Sequence, residues 1–131
     1  MKMGKSILIV DDEELFGAIL RRLLEQEGYI ISYCNNPLDA LLLSQKRKFD
    51  IIVTDYNMPD MNGADFTRAM RNRFDDTFIV GLSSETRESA FLAAGANAFF
   101  EKPIEYRELS SMIRQYKSIL PNKEVQNTIS V

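Results

Sequence analysis

The chain has 131 residues, with 16 Lys plus Arg against 19 Asp plus Glu for a net charge of −3, and 45% hydrophobic residues beside only 6 Gly and 4 Pro. That is the size and make-up of one soluble globular domain, which buries roughly two-thirds of its unfolded surface without needing disulfides. The absence of His excludes imidazole metal sites, Ser-His-Asp triads and phosphohistidine carriers, and the acidic balance excludes a basic nucleic-acid groove.

The longest apolar run, Ile7 to Val10, falls far short of the ~20 residues of a bilayer span. Met1 to Gly4 leads straight into it with no signal-peptide core, so no membrane partner and a cytoplasmic location are expected. Cys34, the single cysteine, reads as a small buried or half-buried thiol and not a redox group.

In chain order, Ile7 to Val10 reads as a strand buried on both faces, ending at Asp11. From Glu13 to about Gly28, the positions Phe16, Ile19, Leu20, Leu23 and Leu24 keep helical spacing, and Gly28 is placed to end the helix. Tyr29 to Tyr33 is a second strand. Pro37 to about Lys46 is a helix starting from Asn35 or Asn36, and Ile51 to Thr54 is a third strand. Asp55 to Gly63 carries Asn-Met-Pro-Asp and Asn-Gly, the composition of a long loop. A helix from Ala64 to about Arg73, a strand from Phe78 to Leu82, a helix from Thr86 to Ala94 and a strand from Asn97 to Phe100 follow. A last helix, about Glu105 to Leu120, presents Leu109, Met112, Ile113, Tyr116 and Leu120 on one stripe. Residues 5–120 are thus one domain and 121–131 a polar tail. Strands that alternate with helices imply a parallel sheet with right-handed crossovers and helices on both faces, a doubly wound α/β fold. Gly81 interrupts the fourth strand and is expected to make room for a neighbouring side chain.

In such sheets the functional site lies beyond the carboxyl ends of the strands, where the strand order reverses. Asp11, Asp12, Asp55, Ser83, Ser84 and Lys102 all fall at those ends. Clustered carboxylates repel one another, and either raised pKa values or a cation must relieve this, a hard divalent cation being the simpler relief. An all-oxygen donor set completed by water suits Mg²⁺ better than Zn²⁺, with Cys34 read as lying at the far end of strand two. The expected ligands are Asp12, Asp55 and the backbone carbonyl of Asn57, with Asp11 acting through water. Lys102 and the Ser83 hydroxyl are suited to hold phosphoryl oxygens, which leaves Asp55 as the nucleophile of an acyl phosphate.

The motifs Ile-Val-Asp-Asp-Glu at 9–13, Val-Thr-Asp-Tyr-Asn-Met-Pro-Asp-Met-Asn-Gly at 53–63, Leu-Ser-Ser at 82–84 and Gly-Ala-Asn-Ala-Phe-Phe-Glu-Lys-Pro at 95–103 closely resemble those of receiver domains of two-component response regulators, of the chemotaxis-regulator type. The resemblance runs over about residues 5 to 120. It implies the flavodoxin-like five-stranded order 2-1-3-4-5, with Asp55 as phosphoacceptor and Asp11 and Asp12 as the acidic pair. Ser83 is then the switch hydroxyl, Phe99 the switch aromatic and Lys102 the site lysine. Ser stands at 83 where Thr is more frequent, and Phe at 99 where Tyr is frequent, which removes one hydroxyl. The implied function is a phosphorylation-dependent switch rather than an enzyme, charged by a sensor histidine kinase, a phosphotransfer protein or a small acyl phosphate. A phosphohydrolase is disfavoured because Asn57 stands where such enzymes place a second aspartate; a phosphorylation-independent interaction module is the alternative. The output surface is expected on helix four, strand five and helix five, with Arg87, Phe91 and Tyr106 upon it, and a homodimer formed on phosphorylation stays open. The Lys102-Pro103 peptide is expected to be cis, since Lys102 must turn back into the site directly after strand five.

Overall fold

The structure, a computed structural model, describes residues 4–116. The five strands are β1 (Ser6–Val10), β2 (Ile30–Cys34), β3 (Ile51–Asp55), β4 (Phe78–Ser83) and β5 (Ala98–Glu101). All pair in parallel, in the order β2-β1-β3-β4-β5. The helices are α1 (Glu14–Gln26), α2 (Pro37–Lys46), α3 (Gly63–Arg73), α4 (Glu88–Ala94) and α5 over 106–116. The expected doubly wound architecture is therefore the observed one. The end of the last helix and the 121–131 tail lie outside the described residues.

The central strand β1 is buried on both faces, with Ile7, Leu8, Ile9 and Val10 all at 0% exposure. Alternate side chains divide between two cores. Ile7 and Ile9 join Leu20 and Leu24 of α1 and Leu109 and Ile113 of α5, while Leu8 and Val10 join Ala40, Phe66, Met70 and Phe91 on the opposite face. Of the α1 stripe, Ile19 faces outward at 53% exposure.

Local chemistry explains the element ends. Asn36 and Asn62 cap α2 and α3 by accepting the Asp39 and Asp65 backbone N–H groups, each at 2.8 Å, so α3 begins one residue before the expected Ala64. At the end of α1, Gly28 takes φ 98°; the Gly28 N–H donates to the Glu25 carbonyl at 3.0 Å and the Tyr29 N–H to the Leu24 carbonyl at 3.3 Å, a left-handed closure that favours glycine. β2 begins and ends one residue later than expected. Cys34 consequently sits at its carboxyl end, where its carbonyl accepts the Asp11 N–H at 3.2 Å, and not at the far end of the strand. Helix α4 starts two residues later than expected, at Glu88, because its N-cap Arg87 is non-helical and makes no side-chain cap. β5 likewise starts at Ala98. Asn97 instead clasps Ile79, its N–H donating to the Ile79 carbonyl and its Oδ1 accepting the Ile79 N–H, both at 2.8 Å.

Arg71 ties the opposite edge of this region together. Its guanidinium donates to the carbonyls of Gly95, Phe74 and Thr77 and to Asn97 Oδ1, at 2.7 to 3.0 Å. Removing it strips several acceptors of a charged donor at once. Arg71→Ala should cost about 1–2 kcal/mol in urea unfolding, and Arg71→Lys should recover little, because an ammonium lacks the planar fork. Equal stability of the Lys variant and the native chain would show that charge alone suffices.

Candidate functional site

The carboxyl edge of the sheet opens into a cavity of about 500 Å³ lined by Asp12, Glu13, Asp55, Asn57, Ser84, Lys102 and Pro103. β1 delivers Asp11 and Asp12, β3 delivers Asp55, and the turn after β5 delivers Lys102. The Lys102 N–H donates to the Ser83 carbonyl at 2.8 Å, and the Lys102-Pro103 peptide is cis as expected. The lysine side chain runs back across the strand ends to Asp11 and Asp55.

Lys102 Nζ lies 3.0 Å from Asp11 Oδ2, 2.5 Å from Glu13 Oε1 and 3.3 Å from Asp55 Oδ1. Asp11 is buried, its Oδ1 accepts the Glu13 N–H at 2.9 Å, and its carbonyl accepts the Tyr33 hydroxyl. The carboxylates of Asp11, Asp12 and Asp55 each offer an oxygen within 4.8 Å of the others. This all-oxygen, all-acidic donor set fits a hard divalent cation.

The charges are unequally satisfied. Burial, then the neighbouring Asp11 charge, pushes the Asp55 carboxyl up from 3.8 to about 6 against the pull of Lys102. Burial likewise raises Asp11, outweighing its bonds to the Glu13 N–H and Lys102. Lys102 loses hydration too, yet its bonds to Glu13 and Asp11 and the charges of Asp11 and Asp55 carry it above the ordinary lysine value. The lysine looks well paired and the acids poorly paired because one cation is shared among three carboxylates.

Asp11, Asp12, Asp55 and Lys102 thus meet as expected, and Asn57 lines the same cavity. Ser83 is set deeper. It is fully buried, its Oγ accepts the Glu85 N–H at 3.0 Å, and Ser84 takes its place in the lining. Phe99 is half-buried and tilted against Phe91, ring centres 5.8 Å apart. Two residues expected on the output surface lie elsewhere. Phe91 is at 0% exposure, because Gly81 leaves β4 bare beneath its ring. Tyr106 turns toward α1, donating its hydroxyl to Glu27 and lining a groove with Phe16, Ile19 and Leu23. Arg87 is half-buried with its guanidinium 4.3 Å from the Tyr56 ring centre. Sequence reasoning assigned no role to Glu13, which contacts Lys102; the signal was its place two residues after Asp11, within reach of the same cation.

Fold and site together define a doubly wound α/β domain with an acid-and-lysine pocket at its switch point. The family profile described as response regulator receiver domain matches residues 7–114, and the chain belongs to that family. It is 36% identical over 109 residues to the TorCAD operon transcriptional regulatory protein TorR of Escherichia coli K12, covering 82% of this chain and 47% of TorR. It is 33% identical over 121 residues to the two-component response regulator ARR21 of Arabidopsis thaliana, covering 90% of this chain and 19% of that one. The chain therefore spans about half or less of these relatives. Among solved structures, the chemotaxis response regulator CheY4 of Vibrio cholerae superposes with a TM-score of 0.80 at 29% identity, over 88% of this chain and 99% of that one. No helix among the described residues is long and apolar enough to cross a membrane.

Proposed function

We propose that this receiver domain is a switch that takes up a phosphoryl group on Asp55 and changes what it binds, without turning over a substrate. The observation that carries the reading is Lys102, held within 3.3 Å of both Asp11 and Asp55 at the mouth of an acidic cavity. Response regulators work with histidine kinases or phosphotransfer proteins, and a phosphohistidine of such a partner or a small acyl phosphate is the donor here. An Asp55 carboxylate oxygen attacks phosphorus, the P–N bond to the imidazole breaks, and the departing ring keeps that electron pair and takes a proton. Lys102 neutralises the incoming oxygens, and Ser83 can turn its hydroxyl toward one of them. Asp12, Asp55 and the Asn57 carbonyl would hold Mg²⁺, with Asp11 through water, and the ion would supply charge neutralisation for the transferring group. Asn57 offers no second carboxylic acid to drive release of phosphate, which supports a switch over a phosphohydrolase. The output surface lies on α4, β5 and α5.

Incubation with a small acyl phosphate and Mg²⁺ should add one phosphoryl mass, mapped by peptide mass spectrometry to Asp55 and lost in Asp55→Asn. A label on Ser83 would overturn the assignment. No label at all, with partner binding intact in Asp55→Asn, would favour a phosphorylation-independent interaction module.

A further inference from the structure

We propose that Phe91 is the positioning residue that couples the Asp55 site to Phe99, acting through the ring contacts it makes in the slot left by Gly81. The inference rests on the phosphoryl reading above and concerns how that state is transmitted.

Phe91 is fully buried and touches every element the signal must cross. A Cβ at Gly81 would lie 2.4 Å from a Phe91 ring atom, so the ring rests directly on the β4 backbone. A Cβ at Gly63 would lie 2.9 Å from Phe91 Cζ and 2.1 Å from the Asp55 carbonyl oxygen; the ring tip therefore braces the start of α3 where it abuts the phosphoacceptor's own backbone. On one side, Tyr56, the residue after Asp55, meets Phe91 edge-on at 5.8 Å and 79°. On the other side lies Phe99, cross-strand neighbour of Gly81, with its ring tilted 36° against Phe91.

The second route out of the site ends at the same ring. Ser83 Oγ holds the Glu85 N–H, Glu85 pairs with Arg87 at 2.8 Å, and Arg87 covers Tyr56. Among the described residues the Arg87 Nε is buried without a hydrogen-bond partner, and this guanidinium is held by Glu85 and the Tyr56 ring face. When the Ser83 hydroxyl turns toward an added phosphoryl oxygen, its acceptor bond to Glu85 is lost, and the hold of Arg87 on Tyr56 is released. Close packing leaves Phe91 no freedom to absorb a movement of Tyr56 without moving Phe99. The simpler alternative is that Ser83 vacates space for Phe99 directly and Phe91 only fills the core.

The test uses the full chain, NMR, and beryllofluoride with Mg²⁺ as a phosphoryl mimic, in Phe91→Leu, Gly81→Ala and the double variant. Phe91→Leu should still bind the mimic, with site amide shifts like the native ones, while the shift changes at Ala98 and Phe99 fall to a small fraction. Gly81→Ala should lower the melting temperature by forcing the ring off β4. Adding Phe91→Leu should restore that temperature without restoring the Phe99 response, which separates coupling from packing. Tyr56→Leu, at a half-exposed position, breaks the chain one link earlier and should also silence Phe99. A Phe99 response of native size in Phe91→Leu, the double variant or Tyr56→Leu would overturn the proposal. A native chain whose site amides ignore beryllofluoride would overturn the phosphoryl reading itself, and the proposal with it.

Discussion

Lys102→Met should destabilise the fold by about 3 kcal/mol at neutral pH, because removing one partner from a buried ion pair leaves charge without compensation. The lysine side chain is 11% exposed, and its partners Asp11 and Asp55 are 1% and 8% exposed. Met keeps the apolar stem, so the loss reports the ammonium. The pH dependence is specific. Lys102 titrates above its ordinary value, so its contribution is present in full at neutral pH and is lost only on the alkaline side. From the acid side, Asp55 protonates near 6, so the penalty of the variant should shrink as pH falls toward about 4. Urea titrations at several pH values measure this. A loss under about 1 kcal/mol at neutral pH would mean that the acids find another counter-charge.

Asp55→Asn should do the reverse and stabilise the domain in metal-free buffer. A carboxyl raised from 3.8 to about 6 binds its proton more tightly in the folded state than in the unfolded one. Its favourable contribution is complete below the unfolded value and is lost as pH rises through the folded one. At neutral pH the ionised group therefore costs about 3 kcal/mol, which the neutral amide of similar shape removes. The gain should vanish near pH 4, and millimolar Mg²⁺ should raise the native melting temperature while leaving the variant unmoved. An Asp55→Asn protein no more stable than the native one at neutral pH would show that Lys102 already compensates Asp55 in full.

Local signals and side-chain directions are written into this chain to different degrees. The cap at Asn62 reads only as part of a turn, whereas other signals confined to a few adjacent residues were legible: the helix start at Asn36, the closing Gly28, the buried run from Ile7 to Val10. So was the convergence of Asp11, Asp12, Asp55 and Lys102, because parallel strands carry their ends to one edge. What stayed hidden depends on which way a side chain points. Thr86 and Arg87 fit a helix start by composition, but Arg87 lies over Tyr56 and α4 begins after it. Tyr106 has the spacing of an output-face residue, yet its hydroxyl is drawn to Glu27, 79 positions earlier. Glu13 gave no motif of its own and reaches Lys102 only because the Asp11 carboxylate fixes its backbone. Gly81 was legible as a vacancy but did not name the ring that fills it.

That vacancy also bears on how such a chain can change over generations. Gly81 and Phe91 divide one volume between two strand and helix positions, with a Cβ on the first falling 2.4 Å from the ring of the second. A side chain gained at 81 ahead of a loss at 91 meets a clash, and a loss at 91 first leaves a void, so either single step lowers stability. Domains with little stability to spare cross such a step only after some other substitution has raised their reserve. A change at either position should therefore be followed by a change at the other or preceded by a stabilising substitution elsewhere, so the geometry of one aromatic ring ties the two positions to each other.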